Sequence, residues 1–188
     1  MVKNDVGGIK TIPMTQEICC ARCALTGKTC CQHTEIYVTM NDVRRIAVFT
    51  TRIDFFEYRS PSDPAYFGGE CDPQWLRHVF RLDGTRRVLK QQSYGDCIFL
   101  TGSGCQLSLD VRPLVCRLYP LIYTDRGIET EPDEQCPVKT LCQGESVLEV
   151  FGITPDQARR WHMDLYREMI QPEGGETDED WPDLRPAV

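Results

Sequence analysis

Histidine is scarce in this 188-residue chain, with only His33, His78 and His162 present. None stands in the paired spacing of a Cys2His2 finger, which excludes that class of DNA-reading zinc module. An excess of basic charge is also missing. The formal net charge is −7, which repels a phosphate backbone unless the cations segregate to one face, so nucleic acid is not an expected partner. Long apolar runs are lacking as well. No window approaches the roughly 18 residues of a membrane span, and residues 1–13 carry Lys3, Asp5 and Lys10 where an export signal needs a continuous apolar stretch. The expectation is a soluble, cytoplasmic chain with no membrane partner. No glycine-rich nucleotide loop, convincing repeat or evident general acid, base or nucleophile stands out, so no catalytic residue is assigned.

Cysteine is abundant, at eleven residues. So many thiols require disulfides, metal ligation or redox chemistry to account for them. A reducing compartment disfavours disulfides, and the odd count would leave at least one thiol unpaired in any complete framework. Metal ligation is therefore favoured. A metal that gathers several thiolates also offsets the entropy of ordering loops with little core beneath them.

The thiols fall in two clusters. The first places Cys19, Cys20, Cys23, Cys30 and Cys31 within thirteen residues, with Gly27 available to turn the loop. This segment reads as a knuckle rather than a helix. Cys20-x2-Cys23 can grip one ion or cluster from a single turn, while Cys30 and Cys31, if extended, point to opposite sides and so serve two sites, or one site and the core. The second cluster supplies Cys97, Cys105, Cys116 and Cys136. Two tetrahedral zinc sites would use eight thiolates and one [4Fe–4S] cluster would use four, so the ligand pool is Cys20, Cys23, Cys30, Cys31, Cys97, Cys105, Cys116 and Cys136. Cys19, Cys71 and Cys142 are read as buried or free thiols outside that pool. His33, two residues past Cys31, could complete a Cys3His site but reads more simply as polar surface.

Between the clusters, Thr39 can cap a helix over residues 40–49, with Asp42 at its third position and Val43, Ile46 and Ala47 on its apolar face. Residues 54–72 read as an irregular connection. Residues 75–82 and 86–91 flank Asp83-Gly84, suited to a tight hairpin turn. Leu121–Thr124 and residues 128–131 suggest a second hairpin across Asp125-Arg126-Gly127. A short helix beginning near Asp110 should end at Tyr119-Pro120. Thr154-Pro155-Asp156-Gln157 signals a helix start, and Ala158, Trp161, Leu165 and Met169 carry its packed face to about Ile170. Past Gln171 an acidic run reads as a disordered tail. Arg112 and Arg117 either donate to thiolate sulfurs or pair with carboxylates.

These residues resemble the YkgJ-type cysteine-cluster proteins, also called the CxxCxxCC family of zinc- or iron-chelating domains. The resemblance rests on the knuckle ending in Cys30-Cys31, on Asp42-x-x-Arg45-Ile46-Ala47, on Cys97-x-x-Leu100 with Gly104-Cys105, and above all on Arg112-Pro113-x-x-Cys116-Arg117-x-Tyr119-Pro120. It spans roughly residues 19–140. Six residues separate Cys23 from Cys30, more than the family's knuckle usually has. Flagellin lysine N-methylases look similar in carrying such a domain, and that likeness implies an iron–sulfur cluster, with methyl-transfer chemistry as a further expectation.

The expected architecture is α+β: a small, irregular, metal-stabilised domain over residues 19–170 with short β-hairpins and a C-terminal helix, preceded by an extension over 1–18 and followed by a tail over 171–188. The expected function is a cysteine-ligated iron–sulfur protein, most simply [4Fe–4S], with a redox or protein-modifying role. A zinc-stabilised module that binds a protein partner is the alternative.

Overall fold

Thr39 stands at the head of a helix. In the computed structural model, which describes residues 23, 29–63, 72–134, 136 and 146–171, its hydroxyl accepts from the Asp42 amide at 2.9 Å and the Asp42 carboxylate accepts from the Thr39 amide at 3.0 Å. This reciprocal capping box starts α1 (Met40–Thr50) at the expected residue. Val43 and Ile46 on one face of α1 are fully buried, each burial contributing on the order of 1.5–3 kcal/mol. Thr51 ends the helix in left-handed backbone.

The segment expected to be irregular instead holds β1 (Phe56–Arg59), which pairs antiparallel with β2 (Arg86–Leu89). The anticipated hairpin between residues 75–82 and 86–91 does not form. Asp72 accepts from the Gln74 amide at 2.8 Å and Pro73 fixes the first helical residue, so the chain enters α2 (Pro73–His78). The turn at Asp83-Gly84 is nevertheless present. The Arg81 amide donates to the Thr85 carbonyl at 2.8 Å, and Gly84 takes the positive φ of 78° that such a turn needs. The turn leads into β2, whose strand partner is β1.

β3 (Leu100–Thr101) and β4 (Gly104–Cys105) form a minimal hairpin. α3 (Leu114–Leu118) follows, and β5 (Leu121–Thr124) and β6 (Gly127–Pro132) close the hairpin expected across Asp125-Arg126-Gly127. α4 (Val147–Phe151), which was not anticipated, starts on a Ser146–Glu149 capping box. α5 (Pro155–Ile170) starts on the expected Thr154–Gln157 box. The fold is α+β, small and irregular, with three separate two-stranded antiparallel sheets among the described residues. The expected N-terminal extension and the acidic tail beyond Gln171 lie outside the described residues. No described helix is long and apolar enough to cross a membrane.

Among the described residues the core is divided into three small clusters. The first gathers Val38, Val43, Ile46, Phe55, Leu89 and Phe99 under α1. The second lies under α4 around Leu121, Val150 and Ile153. The third joins α3 to α5 through Leu114, Leu118, Leu165 and Met169, and Trp161 of the expected stripe packs at its edge. A polar network crosses between them. Glu168 of α5 accepts from the Thr39 hydroxyl at 2.5 Å and from Arg45 at 2.7 Å, and Arg45 also reaches Asp42 at 2.5 Å. Burial pushes the Asp42 carboxyl up, against the pull of Arg45 and the Thr39 amide. These bonds fix α1 and α5 to each other.

Candidate metal centre

Thr29 shapes the end of the knuckle. Its carbonyl accepts from the Gln32 amide at 3.1 Å, its amide donates to the Gln32 side chain at 2.8 Å, and its hydroxyl accepts from the Cys31 amide at 3.2 Å. Cys30 and Cys31 therefore occupy a turn, not the extended backbone that would send their side chains apart. Instead of diverging, the Cys30 thiol donates to the Cys31 sulfur. Cys23 is itself in helical backbone, contrary to a purely looped knuckle.

The second cluster is tied to this turn through the main chain. The Cys97 amide donates to the Cys31 carbonyl at 2.7 Å, and bridges join Gln32 to Asp96 and Gln91 to Cys97. The Gln92 side chain holds the Cys97 and Leu100 carbonyls, both at 3.0 Å. From there the β3–β4 hairpin places Cys105 directly opposite Leu100. Cys116 arrives from the other side on α3. Because Pro113 sits at the N-cap of that helix and offers no side-chain cap, the first-turn amide of Leu114 is satisfied by Asp42 at 3.1 Å.

Three chain segments thus bring Cys31, Cys97, Cys105 and Cys116 to the wall of one cavity of about 470 Å³. Cys31, Cys105 and Cys116 all pack against the core that contains Cys97. Cys116 lies deep in protein yet keeps part of its surface open, toward the cavity it lines. All seven described cysteines are thiols. Burial pushes Cys97 up to about 12, and Cys105 and Cys116 up as well, with the neighbouring sulfurs of the set adding to each. Cys31 is the exception and is held down, first by the Cys30 S–H, with help from Arg112 and Thr29 against burial.

Arg112 and Arg117 separate in role. Arg112 is buried, donates through Nε to the Leu107 carbonyl at 3.0 Å, hydrogen-bonds Cys105 and bears on Cys31. Its charge faces the thiols. Arg117 donates to the Arg112 carbonyl at 2.7 Å and the Asp110 carbonyl at 2.5 Å, which holds the approach to α3 rigid. Neither of the two alternatives expected for Arg117, sulfur donation or carboxylate pairing, describes these bonds.

Of the eight expected ligands, four line the cavity as a set, and Cys30 lines it beside Cys31. Cys136 belongs to the second core, where Tyr119 packs against it and hydrogen-bonds it. Cys23 is partly buried, and Cys20 lies outside the described residues, as do Cys19, Cys71 and Cys142. His33 is exposed at positive φ with its ring over Gly95, and His162 contacts the Thr124 carbonyl at 2.7 Å. The aromatic wall formed by Tyr37, Trp75 and Tyr123 went unread in the sequence, because its members are spread over 87 positions with no shared period.

The donor set fits a thiophilic metal: four soft sulfurs, a buried guanidinium to offset thiolate charge, and a cavity between them. It does not describe one compact ion site. Four sulfurs bound at about 2.3 Å to a single zinc stand only about 3.8 Å apart, and among the described residues no three His, Cys, Asp or Glu side chains form such a group.

A family model, CxxCxxCC, described as "Putative zinc- or iron-chelating domain", matches residues 19–137. No curated protein and no solved structure matches the chain.

Proposed function

Since the chain belongs to the CxxCxxCC family, a family of zinc- or iron-chelating domains, we propose that it is an iron–sulfur protein in which Cys31, Cys97, Cys105 and Cys116 hold a [4Fe–4S] cluster. The observation that carries this reading is the convergence of those four thiols from three segments on one cavity of about 470 Å³. A polynuclear core needs space between its sulfurs, whereas a single zinc ion draws them into contact. When bound, such a cluster supplies one-electron redox chemistry.

The chain's own residues have separate tasks. Cys31 is the thiol held closest to its ligating form, through the Cys30 S–H and the Arg112 charge. Arg112 also hydrogen-bonds Cys105, so thiolate charge gathered there is offset inside a buried wall. The core beneath Cys97 and Phe99 keeps water from that side of the cavity. The likeness to YkgJ-type proteins and to the cysteine domain of flagellin lysine N-methylases extends this reading to redox or methylase-like modification of a protein substrate in the cytoplasm, by a unit spanning residues 19–170.

A second reading rests on a different observation: the described fold has only small cores and strands of two to six residues, and two of those cores hold the thiols. That arrangement suits a zinc-stapled module whose role is to bind a protein partner. Acid-labile sulfide, metal content and a visible spectrum on protein purified without oxygen separate the two. Iron with matching sulfide and absorption near 400 nm supports the cluster; zinc without sulfide overturns it in favour of the staple.

A further inference from the structure

Another hollow, of about 290 Å³, adjoins the thiol cavity. Cys105, Leu107 and Arg112 line both, so at Cys105 a single residue forms the wall between them. Phe49 of α1 and Ser103, Gln106 and Ser108, which flank β4 and follow it, complete the lining. Phe49 is 53% exposed and Ser103 and Gln106 are exposed as well, so this hollow meets solvent on the side away from the thiols.

The charge in the hollow is of one sign. Arg112 is only 4% exposed, and no Asp or Glu is among the described residues that line the hollow. Asp110, the nearest acid along the chain, is exposed, and the Ser108 hydroxyl already engages its carboxylate. The bond from Arg112 Nε to the Leu107 carbonyl at 3.0 Å fixes the guanidinium plane. A fixed planar fork of donors suits the paired oxygens of a carboxylate, phosphate or sulfate, and burial leaves less water to screen it. We propose that this hollow binds a small oxyanion, held by Arg112 and by the side-chain amide of Gln106. Its occupant draws on the same guanidinium that hydrogen-bonds Cys105. Anion binding and the thiol set are therefore coupled, and the coupling is reciprocal. The site itself holds for any metal at the thiols; its effect on a cluster rests on the reading above.

The test is calorimetric titration of the full chain, purified without oxygen, with sodium phosphate, sulfate and acetate in turn at constant ionic strength, with visible spectra of the same samples. Saturable binding of at least one anion is expected. Phosphate and sulfate binding without acetate assigns a tetrahedral oxyanion, and acetate binding assigns a carboxylate. Gln106→Glu puts a negative charge on the exposed rim without touching a core, and is expected to weaken binding at least about tenfold. Arg112→Lys, which keeps the charge and loses the fork, is expected to weaken it too; if that chain fails to fold without its bond to Leu107, Gln106→Glu carries the test. No saturable binding of any of the three anions, or equal affinity in the parent and Gln106→Glu, overturns the site. Saturation is expected to shift the visible absorption of the metal-loaded chain as Arg112 turns from Cys105, and an unchanged spectrum with anion bound overturns the coupling. A parent chain without visible absorption overturns the cluster reading instead, a separate outcome.

Discussion

The Asp42 carboxylate accepts the Leu114 amide at 3.1 Å, joining residues 72 positions apart. One carboxylate thereby caps two helices, its own α1 through the Thr39 amide and the cysteine-bearing α3 through Leu114. This contact connects the Asp42-x-x-Arg45 motif to the Arg112-Pro113-x-x-Cys116 motif. Replacing Asp42 by alanine leaves two buried amides without their acceptor and Arg45 with Glu168 as its remaining partner, which is expected to cost on the order of 3–5 kcal/mol. Urea unfolding measures it. Metal content should fall in the same variant, because α3 loses the bond that holds Cys116 in place.

Asp72 sets an acid-sensitive joint. Burial pushes its carboxyl up, yet donors from Tyr166, the Gln74 amide and the Asp125 amide together hold it below the ordinary range. A depressed carboxyl contributes stability above its unfolded value near 3.9, and that stability is lost as pH falls through the lower folded value. Asp72→Asn should therefore flatten the acid limb of the stability curve below about pH 4. An unchanged limb would show that this carboxylate is not coupled to folding.

The thiols make metal binding pH-dependent. Cys97 is held at about 12, and Cys105 and Cys116 are held above the ordinary thiol range, all by burial first. Without metal these three keep their protons at neutral pH, so binding must release at least about three protons per centre. Titration in weakly buffered solution counts them. The same shifts imply that the metal-free fold, which retains protons the unfolded chain has lost, weakens as pH rises above about 8.5.

Gly95 and His33 form a local lock. Gly95 has φ +88°, and a Cβ there would meet His33 Nδ1 at 2.5 Å. Gly95→Ala is expected to cost about 1–2 kcal/mol from left-handed backbone and crowding. Removing the ring with His33→Ala should recover only the crowding part, and should leave metal content unchanged. Metal loss in His33→Ala would instead make this histidine a ligand.

Much of the scaffold was legible because its signals are local. Thr39 with Asp42 and Thr154 with Gln157 announce helix starts by chemistry confined to four residues, and both starts fall where expected. Strand pairing was harder. Phe56-Glu57-Tyr58-Arg59 carries two charges among its four residues and reads as loop, yet its partner β2 lies 27 or more positions on. The Asp83-Gly84 turn was visible, but the sequence does not say that α2, started by Asp72 and Pro73, precedes it. At the site, the cysteines were readable as a pool and not as sets. Which thiols meet depends on the Cys97 amide reaching the Cys31 carbonyl and on Asp42 reaching Leu114, and neither contact leaves a trace in spacing.

The central claim is that Cys31, Cys97, Cys105 and Cys116 hold one metal group. Metal analysis of Cys97→Ser beside the parent chain, both purified without oxygen, tests it most directly, because Cys97 is joined by main chain to Cys31 and buried in the core under the cavity. The account predicts that the four-thiol centre's metal is lost and that thermal stability drops with it. Full metal content with an unchanged melting temperature would contradict it.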